Sequence, residues 1–183
     1  MSEVYKIHNP DIPYFITNSV LNWYPVFDTP NYFNILKNAL KFYQENKNLE
    51  IYGYCFMPTH MHLIARCESY NLADITRDFK RYTSRQITDL MVNDDEKRDW
   101  LLEMQKEAER LKRTSKTKFW QDGYHPMEIY SDWFLKQKID YIHNNPVEDG
   151  ICKKPEDYLY SSARNYAKLK SVLSILDVNG DEI

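Results

Sequence analysis

Glycine is scarce. The 183-residue chain has only 4, against 15 tyrosines, 8 phenylalanines and 4 tryptophans, so permissive turns are few and rings with polar tips are many. Three cysteines, Cys55, Cys67 and Cys152, are odd in number and lack C-x-x-C spacing. That argues against a disulfide scaffold or a thiolate zinc site and leaves core thiols. No long apolar run exists either: the longest, about Ile51 to Met57, falls far short of the roughly 20 residues needed to cross a bilayer, so no membrane span is expected. The start, Met-Ser-Glu-Val-Tyr-Lys, has no basic stretch ahead of an apolar one, and a cytoplasmic location is the expectation. There is no basic excess: the formal charge is -3, so any nucleic-acid surface must be a local patch. What is present is ordinary for a folded chain, with 43% hydrophobic and 28% charged residues over a length that suits one domain, 1–183.

Patterning along the chain predicts its elements. Tyr14 to Tyr24, rich in aromatic and β-branched residues, reads as a strand, and Asp28-Thr29-Pro30 opens a helix ending near Asn46 to Asn48. Leu49 to Met57 and His60 to Arg66 alternate as two neighbouring strands broken at Pro58-Thr59. Leu72, Ile75, Phe79, Tyr82, Gln86 and Leu90 trace a second helical stripe. Residues 93–118 form a strongly charged excursion, helical or loosely ordered, that looks like an insertion. Phe119 to Tyr130 reads as a strand or an ordered loop, and Ser131-Asp132 caps a last helix running to Asn145, where Pro146 forces the chain out. The order suits an α+β domain, a central antiparallel sheet with helices packed on its face and a charged helical insertion.

His60-Met61-His62 is the sharpest local feature. In a strand a spacing of two sends both imidazoles to one side, where they can hold a divalent ion or serve as ordinary surface or core residues. A third ligand is needed. Tyr141 and Asn145 lie at i and i+4 and display a phenol and an amide together, although a packed ring and a helix-terminal asparagine fit the same spacing. Arg77, Arg81 and Arg85 repeat every four residues with Lys80 alongside. They read either as a phosphate-binding stripe or as a solvated face eased by Asp74 and Asp78. Between Lys97 and Lys118 eight basic residues face four acidic ones, and the rings of Phe119 to His125 either stack unpaired bases or finish a core. His125 and His143 are further candidates near a metal or phosphate, and Lys138, one turn before Tyr141, either favours its phenolate or is a surface lysine.

Four segments together carry a family resemblance: Tyr54-Cys-Phe-Met-Pro-Thr-His-Met-His-Leu-Ile64, Phe79-Lys-Arg-Tyr-Thr-Ser-Arg85, Tyr141-Ile-His-Asn-Asn-Pro-Val147 and Pro155-Glu-Asp-Tyr-Leu-Tyr-Ser-Ser162. In this order, over roughly Tyr14 to Tyr166, they resemble the REP-associated tyrosine transposases, within the IS200-like HUH class of single-strand DNA transposases. The resemblance implies a ferredoxin-like sheet. It implies that His60, His62 and Asn145 bind Mg²⁺ or Mn²⁺, that Tyr141 is the nucleophile, and that the substrate is single-stranded or hairpin DNA. It leaves both a monomer and a homodimer possible, since relatives include sites shared between subunits. The expected activity is a metal-dependent endonuclease and strand transferase with a 5′-phosphotyrosine intermediate. Two rivals are a catalytically inactive DNA-binding or regulatory protein and a metal phosphodiesterase that uses water. The tail, about 167–183, lies outside the matching segments.

Overall fold

In a computed structural model that describes residues 7, 9–123 and 125–183, the run Tyr14–Ser19 forms β1 and Pro30 opens α1 (Pro30–Lys47) at its first helical position. Then come β2 (Glu50–Phe56), β3 (His60–Arg66), α2 (Leu72–Met91), α3 (Arg98–Arg110), β4 (Met127–Glu128), α4 (Asp132–Glu148) and α5 (Ala163–Tyr166). All strand pairs are antiparallel, in the order β2-β3-β1-β4. The βαββ unit, its following helix and β4 make the expected ferredoxin-like α+β arrangement.

Alternation divides the sheet between two cores. Met61, Leu63 and Ala65 of β3 join Ile75, Phe79, Ile87 and Met91 of α2 and Leu36 and Leu40 of α1. Ile64 points the other way, with Phe15 and with Leu135, Ile139 and Ile142 of α4. Helices therefore cover both faces rather than one. His60 and His62 share the parity of Ile64 and so belong to the α4 side. Gly53 sets how near α4 comes: a Cβ there would stand 3.0 Å from Ile142 Cδ1, at the limit of contact.

Several expectations are corrected. The first strand stops at Ser19, because Leu21–Trp23 curl into a 3₁₀ turn in which Asn22 and Trp23 take left-handed φ. The alternation of β2 is interrupted by a register shift between Ile51 and Gly53, which moves Tyr52 to the α4 side beside Cys55 and Met57. The buried stripe of α2 runs through Thr76, Thr83, Ile87, Thr88 and Met91, leaving Tyr82 and Gln86 exposed. Its threonines were hard to read as core, but their hydroxyls donate to carbonyls one turn back, at Leu72, Phe79 and Ser84.

The charged excursion is docked rather than loose. α3 buries Leu101, Met104 and Ala108, and the buried Lys97 ammonium reaches Asp28 at 2.7 Å and Asp94 at 3.1 Å. Phe119 and Trp120 are core residues, with Trp120 Nε1 donating to Thr83 Oγ1 at 3.1 Å, so they offer no face to bases. Tyr124 of that segment lies outside the described residues. Helix α4 continues through Pro146 to Glu148. The proline forfeits one donor only, while Asp149 N–H donates to the Asn145 carbonyl and Ile151 N–H to the Pro146 carbonyl, which completes the turn.

Candidate active site

β3 pairs with β1 so that Thr17 stands opposite His62 and Ser19 opposite His60. This register builds the site. Thr17 Oγ1 lies 2.9 Å from His62 Nδ1, and Thr59 Oγ1 lies 2.9 Å from His60 Nδ1. With both Nδ1 atoms engaged, the two Nε2 atoms turn toward each other at 3.0 Å. Phe15, two residues before Thr17, stacks on the His62 ring at 5.4 Å.

Ser131 caps α4 by accepting from Phe134 N–H, and the apolar stripe of Leu135, Ile139 and Ile142 seats the helix on the sheet. Tyr141, next to Ile142, then meets the His62 imidazole. The Asn145 amide faces both rings and acts to raise their basicity. Its Nδ2 is donated to the Tyr141 carbonyl at 2.7 Å, which leaves Oδ1 for the imidazoles. The half-exposed Tyr141 ring meets His62 edge-on at 5.5 Å, and the Lys138 ammonium lies 5.7 Å from the centre of that ring. All four predicted residues thus gather within one chain.

Burial depresses the basicity of both imidazoles. For His60 it outweighs the opposing influence of Asp149 and Asn145. For His62, burial and then the neighbouring His60 push the value down to about 3. Both rings are accordingly neutral, with Nε2 lone pairs available as ligands. Two imidazoles and one amide oxygen form a donor set suited to a single divalent ion. Among the described residues no group of three His, Cys, Asp or Glu side chains forms a metal cluster, so the amide is what would complete a three-ligand set here.

The remaining candidates lie elsewhere. His143, buried between Tyr141 and Asn145 in sequence, points away from the site, with Nε2 2.8 Å from Ser162 Oγ; that hydroxyl also accepts from Tyr54 N–H. His125 is exposed beside Gly123. Arg77, Lys80, Arg81 and Arg85 ride on α2, on the other face of the sheet. Arg77 is tied to Asp74 and Asp78, Arg81 and Arg85 are each 82% exposed, and Lys80 turns inward to donate to the Gln121 carbonyl at 3.2 Å. Sequence reasoning passed over Thr17, Thr59, Phe15 and Trp23. Thr59 adjoins the histidine pair in sequence, and Thr17 emerges once β1 is laid against β3.

Comparison with curated proteins found no match. Among solved structures, the fold superposes with a TM-score of 0.62 and 20% identity on a chain from the "structure of the REP associates tyrosine transposase bound to a REP hairpin", covering 100% of this chain and 98% of that one. At that identity the likeness speaks for the fold. A family model described as "Transposase IS200 like" matches residues 12–145, spanning both strands that carry or back the imidazoles and reaching Tyr141 and Asn145 on α4. The chain belongs to the IS200-like transposase family.

Proposed function

We propose that the protein is a metal-dependent single-stranded DNA endonuclease and strand transferase that acts through a 5′-phosphotyrosine at Tyr141, at hairpin-forming repeats. The observation that carries this reading is the meeting, in one chain, of His60 and His62 Nε2, the Asn145 amide and the Tyr141 ring. His60, His62 and Asn145 would hold Mg²⁺ or Mn²⁺. The two Nε2 atoms, 3.0 Å apart, would be near enough to share one cation. Such an ion, when bound, polarises phosphoryl oxygens and offsets charge on the leaving oxygen.

The chain's own contribution is placement. Thr17 and Thr59 fix the ring orientations, α4 sets Asn145 one turn from Tyr141, and exposure of Tyr141 leaves its hydroxyl open to a phosphate. The phenol oxygen bonds to phosphorus as the bond to the 3′ oxygen breaks; the phenol proton passes to solvent and the departing strand ends in a 3′-hydroxyl. The tyrosyl ester keeps the phosphodiester's energy, so a 3′-hydroxyl can reverse the step. The hairpin substrate is supported by the similarity to a transposase solved on a REP hairpin.

Incubation with Mn²⁺ and end-labelled hairpin oligonucleotides tests the reading. The expected result is a covalent protein–DNA adduct that Tyr141→Phe abolishes. Hydrolysed DNA without an adduct selects a water-using phosphodiesterase, and binding without cleavage selects an inactive DNA-binding protein.

A further inference from the structure

Two consecutive non-glycine residues with left-handed backbone, Asn22 at φ 53° and Trp23 at φ 57°, follow β1. Asparagine enters this region readily, whereas a bulky side chain is strained there. Strain of this kind persists only where surrounding bonds over-determine it, and here they do. Val20 N–H donates to the Thr59 carbonyl at 2.9 Å, Leu21 N–H to the Phe119 carbonyl at 2.7 Å and Trp23 N–H to the Val20 carbonyl at 3.0 Å. The turn is pinned to the residue that precedes His60 and to the segment entering from α3.

The core does not need this ring. Val20 and Leu21 are buried beside it, yet the indole of Trp23 stays 53% exposed. It meets the His60 ring edge-on, with centroids 5.4 Å apart and planes at 73°. Along the site the rings run Trp23, His60, His62, Tyr141, with His60 and His62 centroids 4.7 Å apart and His62 and Tyr141 centroids 5.5 Å apart. Trp23 therefore lies against His60, and Tyr141 against His62.

Gln121 joins this turn to a basic cleft. Gln121 donates from Nε2 to the Val20 carbonyl and accepts from Lys80 Nζ through its own carbonyl, at 3.1 and 3.2 Å. Beyond Gln121 opens a cleft of about 740 Å³ whose walls include Lys80, Arg81, Arg85 and Lys116, together with Asp89 and Asp122.

We propose that Trp23 is the stacking platform for an unpaired DNA base next to the phosphate that Tyr141 attacks; this rests on the strand-transfer reading above. Every base offers a π-face, so such a platform strengthens single-strand binding without selecting sequence.

The test uses the full chain with Tyr141→Phe to keep binding non-covalent, and a (dT)₁₂ probe carrying one 2-aminopurine scanned along its length. Quenching is expected at one position, lost in Trp23→Gly, with affinity about tenfold weaker and largely restored by Trp23→Tyr. Glycine relaxes the left-handed backbone, so the melting temperature of Trp23→Gly should stay within a few degrees, which separates loss of binding from loss of fold. Equal quenching and affinity in Trp23→Gly, or no recovery with Trp23→Tyr, overturns the proposal. A covalent adduct formed normally by the unsubstituted chain alongside that result leaves strand transfer standing. Quenching that follows Trp23 when the unsubstituted chain forms no adduct leaves a base-stacking ring but overturns strand transfer and, with it, the platform's place beside an attacked phosphate.

Discussion

Thr17 Oγ1 and His62 Nδ1 stand 2.9 Å apart across the β1–β3 ladder, a bond that fixes which imidazole nitrogen faces the site. Partners of this kind govern ligand orientation and basicity, and their loss commonly lowers metal affinity about 10–100-fold. Thr17→Val keeps the shape of the side chain and removes the hydroxyl. Calorimetric titration with Mn²⁺ should show a drop in affinity of that order, with the thermal transition little changed. An affinity equal to that of the unsubstituted chain would remove the threonine from the site.

Asn145 and Tyr141 occupy one turn of α4 and contribute different atoms, so their variants should separate. Asn145→Ala should weaken Mn²⁺ binding by at least about tenfold and reduce adduct yield with it. Tyr141→Phe should bind Mn²⁺ normally and form no adduct. If Asn145→Ala binds the ion as well as the unsubstituted chain does, the third ligand has been misassigned.

The arginine face should not act as a unit. Arg77 lies 2.5 Å from Asp74 and 3.4 Å from Asp78, while Arg85 has a single carboxylate at 3.9 Å and Arg81 one at 3.4 Å. Each phosphate contact on single-stranded DNA contributes a slope of about −0.7 to log affinity against log salt. The double change Arg81→Ala with Arg85→Ala should therefore make that slope shallower by about one unit or more. Arg77→Ala, already neutralised by two aspartates, should leave it where it was.

What the sequence revealed depended on whether the information was local. Alternation in His60 to Arg66 placed both imidazoles on one side of β3, and Pro30 and Ser131 marked true helix starts. The pairing of Tyr141 with Asn145 was visible as a spacing, but its meeting with the histidines depends on Gly53 admitting α4 to the sheet, which no local pattern encodes. The α2 stripe was misread because buried threonines satisfy their hydroxyls within the helix and look polar in sequence. Trp23 and the docking of the charged segment were hidden for a related reason: each arises from bonds to residues far along the chain, Phe119 for the turn and Asp28 for Lys97.

The Lys97 clamp gives a prediction with a sign at each end of the pH scale. Lys97 ties α3's approach to Asp28 and Asp94, and Tyr32 donates its hydroxyl to Asp94 at 2.7 Å. Burial acts to raise the Asp94 carboxyl, but the Tyr32 and Lys97 hydrogen bonds and the Lys97 charge hold it below its ordinary 3.8. Burial acts to lower Lys97, and bonds to Asp28 and Asp94 hold it above its ordinary 10.5. Asp94 therefore contributes fully above about pH 4, and that contribution is lost as pH falls through its folded-state value. Lys97 contributes fully below about pH 10, and that contribution is lost as pH rises through its folded-state value. Lys97→Met should cost about 1–3 kcal/mol near neutrality, since the carboxylates keep access to water. Melts of both proteins across the pH range should show this gap narrowing toward acid and toward base. A gap that stays constant at every pH would mean that methionine's loss of packing, not the charged bonds, accounts for the difference.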